Sequence, residues 1–252
     1  MNRKFPVINL VVLVIIVGMN ALANILPLNN MTTGELSQEV NVLFTPAGYV
    51  FSIWSLIYIT LGIWVIRSLF TSHAGDIKAV DNIGWLFVWN GIFNVSWLLL
   101  FHYEFFPWTM LPMAALLLSI ILIYRQILQA GKVSVWTKLP FAIYMGWVSV
   151  AFIVNIGILF NTFGFEDGFI ISNELWTVII IPAGGIIAAI IAEKYKDIIY
   201  SSVFVWAFIG IYVERAEEVQ FIAVTAAVTA ALLLLYNIIF LVRKKYILKL
   251  DG

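Results

Sequence analysis

The sequence predicts an all-α fold, a polytopic bundle of about eight transmembrane helices with both termini on the inner side of the membrane. Three observations predict it. Charged residues make up 11% of the chain, whereas a soluble domain carries roughly 25% to cover its surface. Apolar segments of about 20 residues, long enough to cross the hydrocarbon core, recur along the chain. Lys and Arg fall on alternate connections between these segments, as the positive-inside rule requires.

The composition also excludes several classes of function. The chain has 14 basic and 14 acidic residues without a separate basic block, so no nucleic-acid partner is expected. It has no Cys and two His, so neither a thiolate site nor a protein-ligated metal centre is predicted. No Ser-His-Asp set, carboxylate pair or phosphate-binding glycine loop stands out, and conventional catalysis is not expected.

Eight segments are long and apolar enough to serve as spans. They are 5–26, 47–69, 83–103, 108–128, 139–160, 174–193, 196–213 and 219–242. The seventh is the shortest, since Glu214 and Arg215 end it near the lower length limit. With the N terminus inside, every basic residue except Arg215 lies on the inner side. One miscounted span would reverse this pattern for all later connections, so the sequence predicts N-in, C-in topology.

The first span has an alternative interpretation. Asn2-Arg3-Lys4, the apolar run and Ala21-Leu22-Ala23 also fit a signal peptide with a small-residue cleavage site. The run is longer than a usual signal core, and Asn20 and Asn24 are typical of polar groups that pack helices together. A retained helix is therefore favoured. The lack of Cys and the abundance of Ile and Lys suit a multi-pass protein of a bacterial plasma membrane.

The second span opens with an aromatic block, Phe44-Thr45-Pro46-Ala47-Gly48-Tyr49-Val50-Phe51-Ser52-Ile53-Trp54-Ser55-Leu56-Ile57-Tyr58. Pro46 fits the first turn of a helix, where its missing N–H costs nothing. Trp54 and Tyr58 are four residues apart and share a face, with Phe51 beside them. Tyr49 lies near the boundary and fits an interfacial aromatic belt. Trp54 lies deeper, which favours pocket lining over plain packing.

The third and fifth spans each carry one polar and aromatic stripe. On the third span the stripe consists of Asn90, Asn94, Trp97 and Phe101. Interhelical hydrogen bonds are favoured over a ligand role for its two asparagines. On the fifth span the stripe consists of Trp147, Ala151 and Asn155, with Tyr144 nearby. For this second stripe, packing and pocket lining both remain open.

These blocks resemble the signatures of the TspO/MBR family, the tryptophan-rich sensory or translocator proteins. The block from Phe44 to Tyr58 is similar to F-x-P-P-G-W-V-F-x-x-x-W-x-x-L-Y. Asn94-x-x-Trp97 is similar to the L-N-x-x-W of the family's third helix, and the stretch from Trp147 to Asn155 resembles W-V-T-F-A-T-Y-L-N in its fifth. The three blocks occur in the right order, each on the expected span.

The resemblance covers residues 1 to about 160 and divides the chain in two. Residues 1–160 resemble a five-helix TspO/MBR bundle, and residues 161–252 add three transmembrane helices and a basic C-terminal tail. Within the blocks, Ala47 replaces the second proline, Tyr49 the tryptophan and Asn90 a common glutamine. Pro140 lies seven residues before Trp147, where shorter members usually have four.

The resemblance implies a pocket for flat, hydrophobic tetrapyrroles such as protoporphyrin IX or haem. Aromatic residues of helices one, two and five would line it, and the ligand's propionates would seek a polar mouth in the 27–45 loop. The ligand-binding residues carried over are Trp54, Trp147, Tyr58, Phe51, Asn155, Tyr49, Pro46 and Gly48. Asn90, Asn94, Trp97 and Ala151 are assigned to helix packing or a secondary pocket. His73 and His102 fall at span ends, so axial ligation of haem iron is not predicted and no cofactor is required.

Three functions remain open at this point. A tetrapyrrole-binding sensor, regulator or carrier ranks first, with lipid and a planar hydrophobic ligand as partners. A secondary transporter of a small hydrophobic or amphipathic solute ranks second, because Pro182-Ala183-Gly184-Gly185 interrupts the sixth span. A light-dependent porphyrin-degrading enzyme ranks third. The sequence leaves the oligomeric state open, including a homodimer.

Overall fold

The computed structural model describes residues 4–25, 28–40 and 42–250, with side chains up to residue 243. Its helices are α1 (Lys4–Ile25), α2 (Thr33–Glu39), α3 (Ile53–Phe70), α4 (Ala74–Ile83), α5 (Leu86–His102), α6 (Phe106–Gln129), α7 (Val135–Thr162), α8 (Asn173–Tyr195), α9 (Ile199–Arg215) and α10 (Gln220–Leu250). Short 3₁₀ turns at Leu28–Asn30 and Gly48–Ser52 precede α2 and α3. A hairpin of β1 (Gly168–Phe169) and β2 (Ile171–Ser172) precedes α8. The predicted all-α fold class is confirmed.

Six of the described helices are long and apolar enough to cross a membrane, and the bent pair of α4 and α5 makes a seventh. Each of the eight predicted segments corresponds to one helix, namely α1, α3 and α5 to α10. The seventh segment is α9, which has 17 residues. The polytopic membrane bundle is thus confirmed, whereas the count of eight spans and the inner location of both termini stay predictions. The basic residues after Arg243 fall outside the described side chains.

Helix α4 lies in a stretch that the sequence indicated only as a connection. Its first turn is capped by the His73 ring, whose Nδ1 accepts a hydrogen bond from the Asp76 N–H. The buried Asp76 carboxylate accepts hydrogen bonds from the Ser134 N–H and the Thr137 hydroxyl, at 2.8 and 2.9 Å. The helix ends at Gly84, whose φ is +48°, and the chain then bends by 56° into α5. These bonds attach α4 to the start of α7.

Helix α7 occupies the middle of the bundle and packs against α3, α6 and α9. It approaches α9 closely at Gly146, where an added Cβ would lie 2.8 Å from Val203 Cβ. On another side it contacts α3 through rings, since Phe141 lies edge-on to Trp64 with centroids 4.7 Å apart. Helix α7 thus contacts α9 through a glycine and α3 through aromatic rings. Such contacts are expected in a membrane bundle, where close packing drives the association of helices.

Helix α9 contacts the 42–50 segment, the stretch that leads from α2 into α3. The Ala47 N–H donates to the Gly210 carbonyl at 3.1 Å, and Trp206 Nε1 donates to the Val50 carbonyl at 3.2 Å. A side chain at Gly210 would not fit, because its Cβ would lie 2.3 Å from Val50 Cγ2. Helices α8 and α10 pack against α9. The helices α8 to α10 therefore cover one side of the bundle formed by the first five spans.

The Arg215 side chain completes this attachment. It is 3% exposed and donates from Nε to the Leu43 carbonyl and from Nη2 to the Val42 carbonyl, at 3.3 and 3.1 Å. Its Nη1 pairs with the Glu218 carboxylate at 2.7 Å. A buried guanidinium needs such partners to offset its lost hydration. The charge of Arg215 therefore serves to hold the 42–50 segment.

The Pro182-Ala183-Gly184-Gly185 stretch lies inside one continuous helix, α8. A Cβ at Gly184 would lie 3.5 Å from the Phe204 ring, and one at Gly185 would lie 2.7 Å from Thr229 Cγ2. The glycines therefore bring α8 close to α9 and α10. Gly184 and Gly185 therefore serve helix packing, and α8 continues without a break through Pro182.

Candidate ligand-binding site

The predicted aromatic residues of α3 and α7 form one cluster. Trp54 lies edge-on to Trp147, with ring centroids 6.4 Å apart, and stacks on Tyr58 at 5.5 Å with an interplanar angle of 19°. Phe51 lies edge-on to Trp147 at 5.6 Å, and Tyr144 contacts Trp54 at 5.9 Å. The spacing of Trp54 and Tyr58 places them on one face of the helix. Two helices thus contribute rings to a single aromatic group.

A small cavity, here called the inner cavity, lies between α3, α5 and α7. Its volume is about 30 Å³, and its lining residues are Ser37, Pro46, Phe51, Trp54, Trp97, Phe101, Trp147, Val150, Ala151, Val154, Asn155 and Ile158. Such a volume holds about one or two water molecules. The space shared by Trp54 and Trp147 is therefore too small for a macrocycle.

A second cavity, here called the outer cavity, lies between α1, α2 and the start of α3. Its volume is about 420 Å³, within the range of roughly 300–1,000 Å³ typical of sites for small organic ligands. Its lining residues are Val17, Asn20, Ala21, Asn24, Thr32, Thr33, Gly34, Gly48, Phe51, Ser52, Trp54, Ser55 and Tyr58. Phe51 and Trp54 line both cavities, so their side chains form the wall between the two.

A buried polar network begins at the outer cavity. Asn20 donates from Nδ2 to Asn94 Oδ1 at 3.0 Å, and Asn94 donates from Nδ2 to the Tyr144 hydroxyl at 3.0 Å. The Tyr58 hydroxyl is buried and has no hydrogen-bond partner within the described part of the chain. Buried polar groups are normally paired. Tyr58 therefore lines the outer cavity with its ring, while its unpartnered hydroxyl is buried in the protein, and the Asn20 amide beside it is already in use.

The rim of the outer cavity is built by the start of α2. The Thr32 hydroxyl accepts from the Glu35 N–H, and the Glu35 carboxylate accepts from the Thr32 N–H at 2.8 Å, which is a capping box. The next residue, Thr33, is hydrogen-bonded through its hydroxyl to His102 Nε2 at 3.0 Å. The other ring nitrogen of His102 lies 3.3 Å from the Leu28 carbonyl. These bonds fix the rim against the end of α5.

The structure distributes the predicted site residues over both cavities. Phe51, Trp54, Tyr58 and Gly48 line the outer cavity, and the inner cavity is lined by Phe51, Trp54, Pro46, Trp97, Trp147, Ala151 and Asn155. Asn94 lies behind the outer cavity, bonded to Asn20. Asn90 is apart from both and donates to the Ser119 hydroxyl at 2.9 Å. The two asparagines of the third span thus bond between helices.

Two residues predicted to bind ligand are engaged with the protein itself. Asn155 accepts from Trp97 Nε1 at 3.0 Å and donates to the Thr109 hydroxyl at 2.9 Å. Tyr49 is 46% exposed, lines neither cavity, and lies edge-on to Trp206 of α9 at 5.4 Å. These partners lie on α5, α6 and α9, and no local pattern in the sequence reveals their positions.

Several residues that line the outer cavity were not predicted from the sequence to bind ligand. Asn20 and Asn24 of α1 and Ser55 of α3 line it, although the two asparagines stood out only as packing residues. Thr32, Thr33 and Gly34 also line the outer cavity. They belong to the 27–45 loop in which a polar mouth was expected but were not predicted individually, and the capping-box spacing Thr32-x-x-Glu35 is the signal that marks them. In the described part of the chain, no group of three or more His, Cys, Asp or Glu residues could hold a metal ion.

A comparison with protein-family models matched one family, described as TSPO-like protein, over residues 6–239. The match runs from the first turn of α1 into α10 and so spans both parts of the predicted division of the chain. Comparisons with curated proteins and with solved structures gave no match. The matched range includes every residue that lines the inner and outer cavities.

Proposed function

Because the chain belongs to the family of TSPO-like proteins, we propose that this membrane protein binds a planar hydrophobic tetrapyrrole in the outer cavity and acts as its sensor or carrier. The observation that carries the proposal is the stacked pair of Trp54 and Tyr58, 5.5 Å apart in the wall of that cavity. Flat aromatic surfaces of this kind favour a flat aromatic ligand, through stacking and apolar burial.

Volume and lining together support the outer cavity as the position of the ligand. A third cavity of about 420 Å³, beside α9, is lined by none of the residues predicted to bind ligand. The inner cavity, at about 30 Å³, has room for water only. The outer cavity, at about 420 Å³, is large enough to take a substantial part of a macrocycle. A ligand there contacts one side of Trp54, while Trp147 supports the ring from the other side. Trp54 and Tyr58 are therefore the binding residues, and Trp147 acts through Trp54.

The proposal can be tested by titration in nanodiscs of phosphatidylcholine. The purified protein is titrated with protoporphyrin IX and separately with its dimethyl ester, and the porphyrin absorption band is followed. We expect saturable binding of one tetrapyrrole per chain. Replacing both rings, in the variant Trp54→Ala/Tyr58→Ala, should weaken binding by about tenfold, the equivalent of roughly 1.4 kcal/mol of lost stacking.

A matched control exists on α5. Trp89 and Phe93 are also four residues apart and stacked, at 6.1 Å and 25°, but Trp89 is 54% exposed and neither residue lines a described cavity. The variant Trp89→Ala/Phe93→Ala should leave the affinity unchanged. Equal weakening in both double variants, or absence of saturable binding of either porphyrin, would contradict the proposal.

A further inference from the structure

The outer cavity is lined by a part of the chain that contains no basic residue. All of its lining residues lie between Val17 and Tyr58, and the sequence has no Lys, Arg or His between Lys4 and Arg67. The charged residues in that interval are Glu35 and Glu39. A carboxylate that enters the cavity therefore loses its hydration without gaining a cation, which is costly in a medium of low dielectric constant.

The rim of the cavity carries negative charge. The Glu35 carboxylate bonds to the N–H of Thr32, a lining residue, and this bond lowers the pKa of Glu35, so the group stays ionised at neutral pH. Glu39 is exposed one helical turn later, on the same face of α2. A third acid, Glu104, lies between α5 and α6. Its carboxylate accepts a hydrogen bond at 2.9 Å from Nδ2 of Asn29, which belongs to the connection that leads to Thr32.

Nearby groups that can carry positive charge are engaged elsewhere. Arg215 is paired with Glu218 and bonded to the carbonyls of Val42 and Leu43. His102 lies behind Thr33, is fully buried, and has a partner at each ring nitrogen. Neither residue lines the outer cavity. An anionic ligand edge at the rim thus meets carboxylates rather than cations.

We propose that the outer cavity selects tetrapyrroles whose edges are uncharged, such as esters or alkyl-substituted macrocycles, over those with ionised carboxylates. The inference rests on the proposed function and specifies its ligand class. Uncharged ligand edges fit the lining, which offers the second N–H of the Asn24 amide and the Ser55 hydroxyl. Each can bond to an ester carbonyl without any ion pair.

The test compares protoporphyrin IX, a dicarboxylic acid, with its dimethyl ester in nanodiscs of phosphatidylcholine. The wild-type chain should bind the ester about tenfold more tightly, because the acid leaves unpaired charge in the site. Since the ester also partitions better into lipid, the decisive measurement uses Glu35→Gln/Glu39→Gln. Gln at position 35 can keep the capping box. Binding of the acid should tighten about threefold or more in this variant, and binding of the ester should not change.

Two further variants test whether charge at the outer cavity controls binding of the acid. Glu166→Gln/Glu174→Gln removes the same charge from two exposed positions, one on the connection between α7 and α8 and one in the first turn of α8, and it should alter neither affinity. Ser55→Lys adds a cation to the lining of the outer cavity and should tighten binding of the acid by about tenfold, as a close pair of opposite charges can. High salt should strengthen wild-type binding of the acid, since screening weakens the repulsion at the rim.

The results that would overturn the inference are distinct from those that overturn the proposed function. If the wild-type chain binds the acid at least as tightly as the ester, and Glu35→Gln/Glu39→Gln leaves both affinities unchanged, the selectivity is wrong while tetrapyrrole binding stands. If neither porphyrin binds, the proposed function fails and the inference fails with it.

Discussion

The indole rings of Trp54 and Trp147 meet edge to face, with centroids 6.4 Å apart and planes at 89°. Trp54 lines both cavities, whereas Trp147 lines the inner cavity alone. The two tryptophans belong to corresponding sequence blocks on α3 and α7, but only one of them reaches a space large enough for a ligand. Their contributions to binding should therefore differ.

The first prediction concerns these two residues. Trp54→Leu should weaken tetrapyrrole binding by about fivefold, less than the loss of both rings, because it removes the larger stacking surface of the outer cavity and leaves Tyr58. Trp147→Leu should change the affinity by less than about twofold, because its ring supports Trp54 without lining that cavity. Titration of both folded variants in nanodiscs checks the difference. Equal losses of affinity would mean that the ligand occupies the space between the rings.

The second prediction concerns the buried amide network. Asn94 is 1% exposed and bonds to both Asn20 and Tyr144. Asn94→Leu should lower the free energy of unfolding by about 1–2 kcal/mol, since two interhelical hydrogen bonds are lost. Unfolding by sodium dodecyl sulfate in mixed micelles measures this. Ile92→Leu, at a 47% exposed position of the same helix, should have no effect, and an equal loss there would argue against the network.

The third prediction concerns the close approach at Gly210. A Cβ at this position would lie 2.3 Å from Val50 Cγ2 and 2.9 Å from Pro46 Cβ. Gly210→Ala should therefore destabilise the protein by about 1–3 kcal/mol through overpacking. Gly62→Ala is the control, because no atom lies within 4 Å of a Cβ there. That variant should be neutral or slightly stabilising. A stable Gly210→Ala protein would show that α9 can shift away from the 42–50 segment.

The fourth prediction tests the membrane orientation. The chain has no native Cys, so single cysteines can be introduced on a clean background. Glu104 and Lys132 are both exposed and fall on connections predicted to lie on opposite sides of the membrane. In intact cells an impermeant maleimide should label Glu104→Cys and leave Lys132→Cys unlabelled until the membrane is opened. The reverse pattern would invert the topology.

Much of the fold could be predicted because the bilayer imposes a length on every helix that crosses it. All eight predicted segments correspond to helices in the structure. The shorter helices α2 and α4 were missed because they have only 7 and 10 residues and both depend on local caps. The Thr32 and Glu35 pair begins one of them, and the His73 ring begins the other. Such caps occupy few residues and leave no long apolar pattern.

The candidate site was predictable in part for a similar reason. Spacing of four residues placed Trp54 and Tyr58 on one face, and the structure stacks them. The partners of Asn155 could not be predicted, because Trp97 and Thr109 come from two other helices. The closure of the space between Trp54 and Trp147 also depends on how the rings tilt, which spacing along a helix does not determine.

The attachment of α9 has a consequence for shortened forms of the chain. Four backbone groups of the 42–50 segment, the Ala47 N–H and the carbonyls of Val42, Leu43 and Val50, have their partners on α9. A polypeptide that stopped after α7 would lose all four bonds. The Val42 carbonyl still accepts from the Thr45 N–H and the Val50 carbonyl from the Ile53 N–H, whereas the Ala47 N–H and the Leu43 carbonyl lose their partners, at about 1–3 kcal/mol each where they stay out of water. We therefore expect the first five spans to be less stable alone than in the whole chain, so any dissection of this molecule should keep its C-terminal third.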